Sequence, residues 1–388
     1  MDGAAEPGLR LDFRMAGRER DDVWLRDEAG RVLGDLVNAL GRDRLRAVVV
    51  AGSVARGEGG VLWKQEKVAR VISDLDVYVV AARDDEGGLR DARSRMSERL
   101  SPSPLTAEIG ITTAETLANL PETIANHSLV TEARVVWGDP DVLRGARAFE
   151  ARSIPREDAL NLVLNRAAEE MIARAASRRG APAEDAALGI FVRGIKTVAD
   201  LGLAVLMARG NYATGYRGRG ARVAAAMTEE PRLGASLPGR FDASVESACG
   251  WKLAPEWGGL AGQIPGTDGY PEAARRWRVE RIAATRGFLR WYIGESGDLL
   301  GALGRSEPLA RAARAWARSA RGSFAAAGRA VSRIVSGRVR PSPRLAAQLA
   351  ALALFLASDD AAEGATDREF EDAVLEEWGR EIMGWGKA

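Results

Sequence analysis

The stretch from Ala47 to Val80 constrains this chain more than any other. Ala47-Val48-Val49-Val50-Ala51 is short, apolar and β-branched, the composition of a strand buried on both faces. It runs into Gly52-Ser53, where backbone without a Cβ can approach an anion closely and a hydroxyl stands at the start of a short helix. A second strand, Val71 to Val80, carries Asp74-Leu75-Asp76. Side chains alternate between the faces of a strand, so Asp74 and Asp76 point the same way. Two adjacent carboxylates repel each other unless a cation lies between them, and oxygen ligands of this kind suit Mg²⁺ or Mn²⁺. A metal and a triphosphate are the chemistry that these residue types serve together.

Taken in order, Gly-Ser after one strand and Asp-x-Asp on the next resemble the DNA polymerase beta-like nucleotidyltransferase superfamily, over roughly residues 40 to 145. That family has a third carboxylate on a later strand in a hydrophobic-acid-hydrophobic setting. Leu105-Thr106-Ala107-Glu108-Ile109-Gly110-Ile111 offers Glu108 there, with Glu115 close by as the other acid. Ala133-Arg134-Val135-Val136-Trp137-Gly138-Asp139-Pro140 resembles the strand and turn that often close the catalytic domain in small-molecule members.

The resemblance implies an α+β fold, with an N-terminal nucleotidyltransferase-type mixed sheet and flanking helices followed by an α-helical C-terminal half. It implies that Asp74, Asp76 and Glu108 hold metal and carry catalysis, and that Gly52 and Ser53 hold the nucleoside triphosphate. The implied reaction transfers a nucleoside monophosphate to an acceptor hydroxyl and releases pyrophosphate. In two-domain relatives the helical domain supplies basic residues to the triphosphate. Arg193 and Lys196, three apart on one helix face, are the candidates, their other reading being a partly solvated helix edge. The helical second half resembles transferases acting on small molecules, such as those that adenylylate aminoglycosides. A second-messenger synthase and a toxin-like enzyme modifying tRNA or protein are the alternatives, and a catalytically silent nucleotide-binding module is the non-enzymatic one.

One departure from the family pattern matters. Ser53 and Asp74 lie 21 positions apart, roughly twice the spacing in compact members. Val61-Leu62-Trp63 and Lys67 to Val71 can form a hairpin turning at Lys64-Gln65-Glu66. Such an insertion either extends a strand and leaves the site intact or displaces Ser53 from the aspartates.

Charge is balanced, 55 basic against 54 acidic residues, so the strongly basic footprint of a nucleic-acid binder is absent. Local arginine clusters, Arg217, Arg219 and Arg222, then Arg275, Arg276, Arg278 and Arg281, read as solvated helix faces. The single Cys249 excludes an intrachain disulfide and a cysteine-based zinc site. The N-terminus lacks a secretory pattern, and the longest apolar run, Leu345 to Ala357, is too short to span a bilayer, so a cytoplasmic protein without membrane partners is expected. His127, the only histidine, has no nucleophile elbow beside it and reads as a structural residue. P-loop and dinucleotide-binding glycine motifs are absent.

Composition divides the chain into an N-terminal extension (1–30), a catalytic domain (31–150) and a helical region (151–388) with a sub-boundary near 235–275. Arg31 to Leu40 reads as a helix, Arg83 to Leu100 as a crossover helix, and Ala187 to Arg209 as a long helix ending at Gly210. The Gly-punctuated Asn211 to Arg219 loop carries Tyr212 and Tyr216, which stack a ligand or anchor a helix junction. Residues 235–272, rich in Gly, Pro and Trp, read as a long loop or lid.

Overall fold

The computed structural model describes residues 8–82, 88–89, 103–178, 183–256 and 270–294. The chain forms two compact units. Met1–Ile154, Thr214–Arg217 and Gly250–Trp257 make the first; Pro155–Ala213, Gly218–Cys249 and Gly258–Ala388 make the second.

The first unit opens with α1 (Glu19–Leu40), whose acidic first turn, Glu19, Asp21 and Asp22, complements the positive end of the helix dipole. Leu25, Ala29, Val32, Leu33, Leu36, Val37 and Leu40 recur at helical spacing and form its buried stripe. The helix therefore starts twelve residues before the sequence-based boundary at Arg31, and residues 19–30 are not an extension. The reason is local: Asp21 and Asp22 are buried acceptors, so polar residues occupy positions that apolar periodicity would fill.

Next come β1 (Leu45–Ala51), α2 (Gly52–Ala55), β2 (Val61–Lys64), β3 (Lys67–Val71), β4 (Leu75–Ala81) and β5 (Ala107–Thr112). They are followed by α3 (Ala114–Ala118), α4 (Ile124–Thr131) and β6 (Arg134–Gly138). Among the described residues, four strands form one mixed sheet in the order β5-β4-β1-β6, with β1 antiparallel to β4 and β6 and β4 parallel to β5. This is an α+β arrangement. Strand alternation gives the sheet two apolar faces. Val48, Val50, Leu75, Val77, Val79 and Val136 pack with the α1 stripe. Ala47, Val49, Ala51 and Val80 pack with Leu117, Leu120, Leu129 and Val142. Val48, Val49 and Val50 are all fully buried, each contributing about 1.5–3 kcal/mol of transfer free energy, which accounts for the unbroken apolar run of β1.

Parallel β4 and β5 need a crossover. The expected Arg83 to Leu100 helix lies outside the described residues except for Gly88 and Leu89, which are helical, with Leu89 in the core under α1.

The second unit is helical where described: α5 (Glu157–Arg178), α6 (Ala183–Ala208), α7 (Arg219–Glu229), α8 (Pro231–Ser236), α9 (Phe241–Leu253, its last residues belonging to the first unit) and α10 (Tyr270–Ile293). The apolar α6 packs against α5, α7 and α10. Residues 241–253 are thus helix rather than loop. Phe241, Val245, Ala248 and Cys249 make a buried stripe that the Gly and Trp content of the segment disguises. Residues 257–269 and Leu345 to Ala357 lie outside the described residues. Two arginines read as solvated are buried: Arg281 forms a two-pronged ion pair with Glu170 (2.7 Å for each bond), and Arg219 lies between the Ala199 carbonyl (3.0 Å) and Asp200 (3.7 Å). Sequence spacing shows the cations of such pairs without their distant anions. No helix among the described residues is long and apolar enough to cross a membrane.

Candidate functional site

The site is built at one end of the four-stranded sheet. β1 ends at Ala51, which pairs with Asp76 of β4, and Asp76 pairs in turn with Glu108 of β5. Register places Ala51, Asp76 and Glu108 in one row on one face, because partnered residues of neighbouring strands project to the same side. Asp74 lies just before β4 rather than within a continuous strand from Val71; β3 ends at Val71 and Ile72-Ser73-Asp74 makes the break. Burial alternates within β4, where Asp76 and Tyr78 are half-buried against buried Leu75 and Val77, and Asp74 stands half-buried just outside it.

Gly52 carries the decisive contact. Its φ is +68°, a backbone conformation that L side chains rarely adopt, and a Cβ there would lie 1.8 Å from an Asp76 carboxylate oxygen. The Asp76 carboxylate thus rests directly on the Gly52 backbone. Ser53 follows in the first turn of α2, buried, with its carbonyl accepting the Glu58 N–H at 2.8 Å.

The long insertion leaves this contact in place. β2 and β3 pair as an antiparallel hairpin that turns at Gln65 (φ +58°) and Glu66. Its stem closes where Ile72 donates to the Gly60 carbonyl (2.9 Å) and Gly60 donates to Ser73 Oγ (3.2 Å). The chain therefore leaves the sheet after α2 and returns at Asp74.

Around the carboxylates the electrostatics are specific. Tyr78, on the same face, has its hydroxyl pushed up to about 12 by burial first and then by the charges of Asp76 and Glu108. Glu115 sits exposed on α3, off the strand, so Glu108 is the acid that register aligns with Asp76.

A second layer comes from residues that belong to none of the sequence motifs. Lys252 is only 2% exposed, donates to Ser73 Oγ at 3.2 Å and sits 4.7 Å above the Tyr216 ring. Ser73 also accepts from the Gly60 N–H at the hairpin stem, so the contact ties Lys252 to the break between β3 and β4. Arg56 bridges Glu58 and Glu132, at 2.9 Å from each. Burial opposes its charge, but the hydrogen bond it donates to Glu58 and the charges of Glu132 and Glu58 outweigh that and raise its pKa above the ordinary value. The only sequence hint of Lys252 was a lysine inside an apolar helical stripe; its partner lies 179 residues away.

The structure thus sets Gly52 against Asp76, with Ser53 next in α2, Glu108 in register with Asp76 on β5 and Asp74 just before β4, all in the first unit. Arg193 and Lys196 lie on α6 in the second, where Arg193 is paired with Glu169 at 3.2 Å. No protein-family model matches the chain, and no curated protein matches it either.

The donor set is hard oxygen, suited to Mg²⁺ or Mn²⁺. Among the described residues, no three His, Cys, Asp or Glu side chains are drawn together as a ready metal cage.

Proposed function

We propose that the chain is a metal-dependent nucleotidyltransferase, moving a nucleoside monophosphate from a nucleoside triphosphate to a hydroxyl of a small molecule. The observation that carries this reading is the seat of the Asp76 carboxylate on the backbone of Gly52, with Glu108 in register on the next strand. A glycine backbone that admits an anionic oxygen at contact distance, here that of Asp76, and the Asp76–Glu108 pair then share one sheet end, the pairing that phosphoryl chemistry uses.

Asp74 and Asp76 would hold the divalent ion, which neutralises charge on the triphosphate when bound. The Gly52-Ser53 backbone and hydroxyl bind the β- and γ-phosphates, and the Lys252 ammonium, held on Ser73, adds positive charge to the same unit. Glu108, exposed on its strand, accepts the proton of the attacking hydroxyl. Polβ-like architecture and membership of the nucleotidyltransferase superfamily belong to the same proposal.

Incubation with each of the four ribonucleoside triphosphates and Mg²⁺ or Mn²⁺, with pyrophosphate and product masses measured, tests it. Pyrophosphate from wild type and none from Asp76→Asn supports the reading, and the product mass identifies the acceptor. An oligonucleotide product would mark a synthase that needs no other acceptor. Equal release by both proteins excludes the aspartate from the chemistry. The second reading, a nucleotide-binding module without turnover, rests on the absence of a three-acid cage among the described residues; metal-independent nucleotide binding with no pyrophosphate would establish it.

A further inference from the structure

Glu58 is buried, 7% exposed, in the loop that follows Ser53. One carboxylate oxygen accepts from Arg56 Nε at 2.9 Å and the other from the backbone N–H of Tyr216 at 3.0 Å. Gly215, at φ +82°, makes that second bond reachable, since a Cβ there would stand 3.0 Å from the same oxygen. Arg56 is anchored in turn by Glu132, which also accepts from Ser128 Oγ at 3.0 Å. The Tyr216 ring so placed lies under Lys252 Nζ, which reaches Ser73. Each link is a charge-assisted bond or a cation over a ring, and each is buried or half-buried, where such contacts are strongest.

We infer that Glu58 is a positioning residue: by fixing Tyr216 it holds the Lys252 ammonium on Ser73, at the break that precedes β4, joining the Ser53 loop and the Thr214–Arg217 segment into one site. The inference rests on the nucleotidyltransferase reading for its consequence in substrate binding, while the placement of Lys252 is measurable without it.

Two measurements test it. The first is reductive methylation followed by peptide mass spectrometry, with the exposed Lys64 and Lys67 as internal controls. Lys252 is expected to be protected in wild type and in Glu58→Gln, which keeps an acceptor for Tyr216 N–H, and labelled in Glu58→Ala at a temperature where that variant is folded by circular dichroism. Protection of Lys252 in folded Glu58→Ala overturns the inference. The second is a double-mutant cycle read as binding of a non-hydrolysable ATP analogue with Mg²⁺. Glu58→Ala and Lys252→Met are each expected to weaken binding about tenfold, the scale of one hydrogen bond to a charged group, and the double variant no further. Additive losses would show that Glu58 acts independently of Lys252. If wild type binds no nucleotide while the methylation pattern is as expected, the transferase reading fails and the positioning role of Glu58 stands.

Discussion

At the scale of single residues, the informative positions are those where a side chain meets something the linear sequence does not place beside it. Gly52 is the sharpest case. Gly52→Ala would put a methyl where the Asp76 carboxylate sits, in a backbone conformation that alanine resists, so the carboxylate must move. Turnover is expected to fall by roughly a hundredfold, the scale of an ångström-sized misplacement of a reacting group, in steady-state pyrophosphate assays. The glycine, the serine and both aspartates were legible from order and residue type alone, because strand alternation and glycine's missing Cβ are local properties. Lys252 and Glu58 were not, because their roles depend on partners far along the chain. His127 offers a clean titration, being the only histidine. It is buried beside Phe149, with ring centroids 5.7 Å apart, and burial lowers its pKa below 6.5 against the opposing pull of Glu132. A lowered folded-state value means that its contribution to stability is complete above pH 6.5 and is lost as pH falls through that value. A single imidazole resonance titrating below pH 6.5, with urea midpoints that fall with it and stop falling in His127→Gln, is the expected result.

At the scale of elements, the β2–β3 hairpin shows why the long spacing is tolerated. It is fastened to α1 rather than to the sheet end: buried Asp21 accepts from Trp63 Nε1 at 2.8 Å and from the Val61 N–H at 3.3 Å, and also pairs with Arg18. Trp63 packs edge-on to Trp24 and carries Arg20 over its face. Asp21→Ala strands two buried donors and is expected to cost about 2–4 kcal/mol in urea unfolding, with nucleotide affinity unchanged. A loss of affinity equal to that of Asp76→Asn would mean that the hairpin belongs to the site. The hairpin and its turn could be read from two short valine-containing runs flanking a polar tripeptide. The start of α1 could not, because its first turns bury carboxylates that resemble surface charge until the residues they bond are known.

At the scale of the whole molecule, the chain joins an α+β unit bearing the carboxylate row to a unit that is helical in its described residues. The helical unit buries the Arg281–Glu170 pair, and removing one partner leaves an uncompensated charge. Glu170→Ala is expected to lower the stability of that unit by about 3–5 kcal/mol in denaturant unfolding. Helical periodicity made the change of character near Pro155 readable, whereas the return of Thr214–Arg217 and Gly250–Trp257 to the first unit leaves no local trace in composition. The central claim, that the Gly52 backbone and the Asp74, Asp76 and Glu108 row form one metal-dependent nucleotide site, is tested most directly by titrating a non-hydrolysable ATP analogue calorimetrically into wild type and Asp76→Asn, with and without Mg²⁺. Binding by wild type that requires Mg²⁺ and is lost in folded Asp76→Asn is the expected result. Equal binding by both proteins, or binding indifferent to the metal, would contradict it.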